Sequence, residues 1–444
     1  METRPPLPVP QLFRLAVAPL QAFFRLEASS GILLALCAVL AMVWANSPLA
    51  WAYTALFDAS LSLGLGGSTA HFTFREFIND GLMAIFFFLV GMEIKRELAM
   101  GELRTVSRAM LPAIAALGGM VVPAGIYVAL NAGTPALRGW AIPMATDIAF
   151  AIGCLTLVKD RVGHPLVVFL TALAIFDDLG GILVIAIFYG SGLHVDWLLG
   201  AGALTVALFL CNRYYVRNGM VYLLLGVALW YALHHGGVHS TIAGVLVGLF
   251  IPTLPMRQGR DVLAELHGFV GELLKKSEDE AVRSEQLLYI EDRIEDLEPP
   301  LGRFVHQWHG WVAYGIVPLF ALANSGISLE GMRLGQLLAP LPLGIVLGLF
   351  VGKQVGIFLF TWVAVKAKVS DMPGRALATQ VHAVAVVAGI GFTVALFVAG
   401  LAFADSPEML NEAKLGILLG SFVSAVVGYL LLRFGPAPKP AEAA

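Results

Sequence analysis

Charged side chains are scarce in this chain. Asp, Glu, Lys and Arg make up 13% of its 444 residues against 58% hydrophobic ones, and mean hydropathy is +0.81. That leaves too little polar surface to cover a soluble globule or to solvate a disordered chain, so the class is a polytopic membrane protein. Cysteine is nearly absent. Cys37, Cys154 and Cys211 are odd in number and scattered through apolar segments, which implies neither a disulfide framework nor a metal cluster. Walker and dinucleotide fingerprints are missing, which argues against ATP hydrolysis. The net charge of -3 says little as a total, and the placement of the charges says more.

The most telling placement lies between Pro165 and Phe188. Its only ionisable side chains are the adjacent Asp177 and Asp178, at the centre of a run long enough to span a bilayer. Successive helical residues point about 100° apart, so the two carboxylates face different surroundings. A carboxylate in low dielectric resists ionisation, which lets it exchange protons. Once ionised, it offers hard oxygen ligands to a hard cation. Proton and cation would compete for one site; the alternative is a satisfied internal polar network. Gly180 and Gly181 are expected to admit another helix or an ion close to the backbone.

Hydropathy predicts twelve spans, near residues 31–45, 80–96, 109–130, 137–158, 165–188, 197–212, 220–234, 238–251, 308–326, 341–365, 376–403 and 413–432. With the amino end inside, 23 of the 28 Lys and Arg residues fall on the inner side and four (Arg75, Arg138, Arg333, Lys414) outside, with Lys353 in mid-membrane. Both termini are therefore expected in the cytoplasm. The layout is a cytoplasmic segment over 1–28, eight spans within 29–255, a charged cytoplasmic insert over 256–305, four spans within 306–434 and a cytoplasmic tail over 435–444. Residues 47–74 read as too polar and broken to span. Two alternating strands around Gly66-Gly67 predict a β-hairpin near 58–75 on the outer surface. Apolar residues at helical spacing (Val262, Leu266, Phe269, Leu273, then Leu287, Ile290, Ile294, Leu297) predict one or two amphipathic helices in the insert, either a solvated hairpin or a regulatory lid.

Two further interruptions stand out. Lys353 is flanked by apolar residues on both sides and needs a counter-charge, with Asp177, Asp178, Asp147 and Asp80 as the choices, unless it snorkels to the interface. Pro143, followed by Thr146 and Asp147, predicts a broken helix, and Gly389 and Gly391 interrupt a later span. Paired interruptions point to an inverted repeat with the site between its halves. His235 and His239 have a metal-like spacing, but the glycines between them argue against a regular helical pair.

Several stretches together resemble the NhaA-type sodium/proton antiporters, a family that itself exemplifies inverted repeats. They are Asn79-Asp80-Gly81-Leu82-Met83, Gly91-Met92-Glu93-Ile94-Lys95-Arg96-Glu97, Ala145-Thr146-Asp147-Ile148-Ala149-Phe150, Ala174-Ile175-Phe176-Asp177-Asp178, Gly237-Val238-His239-Ser240-Thr241, Ala323-Asn324-Ser325-Gly326 and Gly389-Ile390-Gly391-Phe392-Thr393. The resemblance runs from about Ala28 to Leu432. It implies an all-α fold of twelve transmembrane helices with inverted repeats and two broken, crossing helices, plus a small periplasmic hairpin that forms a homodimer. It also implies electrogenic export of sodium or lithium against protons across a bacterial inner (plasma) membrane, with no enzyme activity, no cofactor and no nucleic-acid partner.

By the same resemblance, Asp178 is the cation- and proton-binding carboxylate where sodium binds, and Asp177 is the second, paired with Lys353. Thr146 and Asp147 belong to the broken helix, where Asp147 offsets the facing amino ends of half-helices and Lys353 the facing carboxyl ends. Asp80, Glu93, Arg96 and Glu97 match an inner-end pH-sensing cluster on the second helix, and His239 matches a family histidine that either senses pH or simply caps a helix end. Before Trp311 the chain departs from the family, with Val305 in place of an acid and Gly310 in place of a proline.

Other classes fit less well. An intramembrane aspartyl protease needs its two carboxylates on different helices facing one water. A membrane sensor needs no paired broken helices. A proton-coupled carrier of organic solutes would need a larger apolar pocket.

Overall fold

The computed structural model describes residues 29–65, 68–190, 192–253, 259–275, 286, 289–290, 293–294, 299–330 and 334–436. The regular structure among the described residues is helical apart from one two-stranded sheet. Among the described residues, seven helices are long and apolar enough to cross a membrane, and three bent pairs raise the number to ten. Two expected spans fall outside that number. The one expected over 238–251 is helical only over the nine residues Ile242–Phe250, about 14 Å at 1.5 Å per residue and too short to cross alone. The one expected over 308–326 is the second half of a helix over 300–324 whose first half, Pro300–Trp311, is polar.

The chain forms two compact units. One comprises residues up to Ala59, Met110–Asp177 and Pro318 onward; the other comprises Ser60–Ala109 and Asp178–Val317.

In the first unit, α1 (Ser29–Ala45) is followed by a bend of 116° and α2 (Ala50–Phe57), a helix that the polarity of residues 47–74 concealed. Asn46 holds the bend, since its Nδ2 donates to Met42 O and Ile327 O. Next comes Val106–Asn131, which packs on the long helix Pro340–Lys366 along Gly348, Gly352 and Gly356. A Cβ at Gly352 would lie 2.7 Å from the Pro123 Cα, and one at Gly356 would fall on the Gly118 carbonyl. Small residues four apart let these backbones touch, and dispersion across such contacts is what joins helices where no hydrophobic drive operates. The stretch Gly348–Gly352 is wound as a π-turn immediately before Lys353. Such turns recur at functional positions.

The two predicted breaks are present in this unit. Pro135–Met144 meets Ile148–Thr156 at 41°, and Ala378–Val387 meets Phe392–Ala402 at 48°. The second broken span is buried almost residue for residue from Gln380 to Ala399, so every backbone group released at its break needs a protein partner. The last helix, Pro407–Phe434, packs beside it.

The second unit begins with β1 (Ser60–Leu65) and β2 (Ser68–Thr73), antiparallel with Ser60 opposite Thr73 and Leu65 opposite Ser68. This is the predicted hairpin; its connecting Gly66-Gly67 lies outside the described residues. Thr73 and Glu76 then form a reciprocal capping box that starts the helix Phe74–Ala99. Ile242–Phe250 lies tightly against that helix. A Cβ at Gly248 would sit 2.6 Å from Phe88 O, and one at Gly91 2.6 Å from Val245 O. Lys95 Nζ donates to Ile251 O at 2.5 Å, and Asn212 Nδ2 to Phe250 O at 2.8 Å, which satisfies carbonyls at the short helix's carboxyl end.

The helices Val195–Arg213 and Gly219–Gly236 bury little of their surface, as lipid-facing helices do. In the insert, Gly259–Lys275 is helical with Val262 buried. Its Glu265 accepts from Tyr289 Oη at 2.7 Å and pairs with Arg293, and Phe269 packs on Tyr289. Leu287 and Leu297 of the second expected insert helix lie outside the described residues, as do Arg4, Arg14 and Arg25.

One glycine expectation changes. Among the described residues, no other element comes within 4 Å of where a side chain would begin at Gly181, so of the two expected uses, close approach of a helix or of an ion, the first is not met there.

Candidate functional site

Three side chains converge inside the first unit, two from helices and one, Thr146, from the extended break between Ile142–Met144 and Ile148–Thr156. Lys353, completely buried, donates from Nζ to Asp177 Oδ2 at 2.5 Å and to Thr146 Oγ1 at 2.9 Å. Thr146 Oγ1 lies 2.8 Å from the same carboxylate oxygen and 2.9 Å from Ala388 O, the carbonyl that ends Ala378–Val387. Lys353 therefore does not snorkel. A buried cation is tolerated only with a well-aligned counter-charge, and of the four carboxylates weighed in the sequence the structure supplies Asp177. Lys353 reaches the carboxyl end of the half-helix through Thr146 rather than directly. Asp177 Oδ1 has no hydrogen-bond partner among the described residues, so one oxygen is committed and the other is not.

The two breaks meet around Asp147. Its backbone N–H donates to Ile390 O at 2.6 Å, and its side chain caps the half-helix Ile148–Thr156 by accepting from Phe150 N at 3.0 Å. The other oxygen accepts from Thr393 N at 3.1 Å and Thr393 Oγ1 at 2.5 Å. One buried carboxylate thus serves the amino ends of both half-helices, where the peptide dipoles place partial positive charge. Pro143 sits in the 3₁₀ turn Ile142–Met144, which ends because Ala145 and Asp147 turn extended. A Cβ on Gly389 would fall on Leu349 O, which excludes a side chain there, and one on Gly391 would lie 2.7 Å from Leu349 Cδ2 and press that side chain aside.

Asp178 follows Asp177 on His164–Phe188 and is also buried, at 8% exposure. It belongs to the second unit.

The pH-sensing candidates do not form one cluster. Asp80 and Glu93 lie on the same helix thirteen residues apart, which separates them by about 20 Å. Asp80 sits in the π-turn Phe77–Leu82 just after the hairpin, at the opposite end of the helix from Glu93, Arg96 and Glu97 with which the resemblance grouped it. Its Oδ1 lies 3.9 Å from His239 Nε2, and its carbonyl accepts from Trp230. His239 also bonds Thr241 Oγ1 through Nδ1 at 2.9 Å. Gly237 ends Gly219–Gly236 with φ +79°, so His235 and His239 are on different elements and do not face one point as helical neighbours would.

At the other end of Phe74–Ala99, Glu93 lies 3.7 Å from His309, and Arg96 lies 3.7 Å from Glu97. Val305 is buried, and the helix runs unbroken through Gly310.

Thr393 and Ser421 were not singled out from the sequence. Thr393 closes a quoted motif, and Ser421 and Ser424 are polar positions in an apolar span. That polarity in the last span is the signal that was available.

Comparison with known proteins agrees over nearly the whole chain. A family model described as Na+/H+ antiporter 1 matches residues 21–432. The Na(+)/H(+) antiporter NhaA 1 of Myxococcus xanthus is 69% identical over 437 residues, covering 98% of this chain and 97% of its own. The Na(+)/H(+) antiporter NhaA of an Anaeromyxobacter species is 58% identical over 434 residues (98% and 95%), and that of Oleidesulfovibrio alaskensis 46% over 435 (96% and 95%).

Proposed function

Because this chain belongs to the Na+/H+ antiporter 1 family, we propose that it exchanges sodium or lithium for protons across the inner membrane of a bacterium. It is a transporter and not an enzyme. The observation that carries the reading is the buried constellation at the two breaks, in which Asp177 is half-committed to Lys353 and Asp147 is shared by two half-helices.

In the proposed cycle, Asp178 and Asp177 in their ionised form bind the cation as hard oxygen ligands, the uncommitted Asp177 Oδ1 among them. Thr146 orients the Asp177 carboxylate, and Lys353 holds its charge when no cation is present. Asp147 keeps both amino ends neutralised whichever species is bound. The cation leaves outside, the carboxylates return protonated, and the empty, ionised form does not reorient because carrying bare charge through low dielectric is costly. Exchange of more protons than cations makes the cycle electrogenic.

The finer architecture belongs to the same reading: twelve crossings, one of them completed by the short Ile242–Phe250, both termini cytoplasmic and an inverted repeat. Most of the three spans from Val106 to Asp177 and all of the last three fall in one unit, each set with a broken span at its centre, which supports the repeat. The hairpin Ser60–Thr73 joins two copies on the periplasmic side, and Asp80–His239 and Glu93–His309 carry pH regulation.

Everted vesicles with an acid interior test the exchange. Adding sodium or lithium should dequench a pH-sensitive dye for the wild type and not for Asp178→Asn, across pH 6 to 9. A well-folded wild type with no cation response at any of these pH values would sink the reading.

A further inference from the structure

The half-helix Phe392–Ala402 cannot cap itself. A helix leaves its first N–H groups without intrahelical acceptors, and the residue at this amino end is Gly391, which has no side chain to offer one. A capping residue there would have to push Leu349 aside, since any Cβ would lie 2.7 Å from Leu349 Cδ2 and 3.0 Å from Ala145 O. The acceptor comes instead from the last helix. Ser421 Oγ accepts from Gly391 N at 3.3 Å and from Phe392 N at 3.1 Å, while Thr393 N goes to Asp147. Ser421 is 5% exposed, so bulk water cannot stand in for it.

We propose that Ser421 is a positioning residue of the exchange site, seating the amino end of Phe392–Ala402 so that Thr393 meets Asp147. The inference rests on the antiport reading above. The first half-helix has Asp147 as its own cap, whereas the second borrows two acceptors, one charged and one neutral. Without the neutral one, the N–H groups of Gly391 and Phe392 are left orphaned in the core or turn toward the Asp147 carboxylate, where they compete with Thr393 and Phe150. Either outcome displaces the dipole end that meets Asp147.

Ser424 supplies an internal control. It lies one turn further along the same helix, is fully buried beside Gly389, and its Oγ has no hydrogen-bond partner among the described residues. Its hydroxyl caps nothing.

The test compares full-length Ser421→Ala, Ser421→Thr, Ser421→Cys and Ser424→Ala with wild type, as sodium and lithium titrations in everted vesicles at matched protein levels. Ser421→Ala is expected to raise the apparent KM for both cations roughly three- to tenfold with a smaller change in maximal rate, in line with the loss of a cap. Ser421→Thr should restore the wild-type KM, Ser421→Cys should fall between, and Ser424→Ala should match wild type. If Ser421→Ala does not accumulate, an intermediate KM in Ser421→Cys still supports the proposal and a wild-type KM there overturns it. An active wild type with an unaltered Ser421→Ala overturns this proposal alone, as do equal losses in Ser421→Ala and Ser424→Ala. A wild type without any cation response overturns the antiport reading, and this inference with it.

Discussion

Asp147 and Thr393, 246 positions apart, are joined through a single carboxylate oxygen that accepts both the backbone N–H and the hydroxyl of the threonine. The link ties the amino ends of two half-helices to one negative charge, through a residue without a charge of its own.

Thr393→Val keeps the shape of the side chain and the backbone donor but removes the hydroxyl. Losing a hydrogen bond to a charged group is worth about 1.5–3 kcal/mol. Cation-driven dequenching should fall about tenfold or more in maximal rate over KM, while the protein still accumulates in the membrane. Unchanged transport would mean that the backbone N–H alone holds Asp147.

Lys353→Met leaves the Asp177 carboxylate buried with no cation beside it, a loss of roughly 3–5 kcal/mol. Thermal melting of the purified protein should drop accordingly. Combining it with Asp177→Asn removes the stranded charge, so the double variant should recover most of the melting temperature without recovering wild-type exchange. A double variant no more stable than Lys353→Met would disprove the pairing argument.

Gly248→Val should cost about 1–3 kcal/mol, because its side chain would have to enter the space held by Phe88 O and Met92 N. Gly181→Ala, in open space on a helix, should melt no lower than wild type and gain up to about 1 kcal/mol from helix propensity. The two melting curves measured side by side check both statements.

His309 and Glu93 form an ion pair only while the imidazole is protonated, so the pair is present at low pH and lost as pH rises through the histidine range. Arg96 is the other charge acting on His309. If the pair holds the resting form, His309→Ala should bring the onset of transport to lower pH. Its side chain is largely exposed, which limits the shift to no more than about 0.7 of a pH unit. An onset that stays put or moves upward would remove His309 from the regulation.

Hydropathy announced the membrane class, and Pro143 followed by the polar Thr146 and Asp147, with the glycine pair Gly389 and Gly391, announced both breaks, whereas Pro112 and Pro123 lie inside an unbroken helix. The hairpin was readable from its alternation. Less was readable where several arrangements share one pattern. The polar stretch over 47–74 hid Ala50–Phe57, whose burial of Tyr53 and Phe57 depends on neighbours distant in the chain. The apolar run 238–251 looked like a crossing, although Gly237 and the turn after it leave only a short helix. Asp80 shared a motif-rich helix with Glu93, and helical rise alone separates them.

What the amino-acid order determined by itself is where charge is forbidden and where it nevertheless occurs: Asp147, Asp177, Asp178 and Lys353 are conspicuous in any apolar sequence, since each is costly in hydrocarbon. Residue chemistry left four candidate partners for Lys353, and tertiary structure decides among them. Lys353 finds Asp177 across 176 positions and Thr146 across 207, and Ser421 finds the amide of Gly391 across 30. Those partners are set by how glycine-lined helices pack and by which backbone donors a break leaves open, and neither quantity is written along the chain.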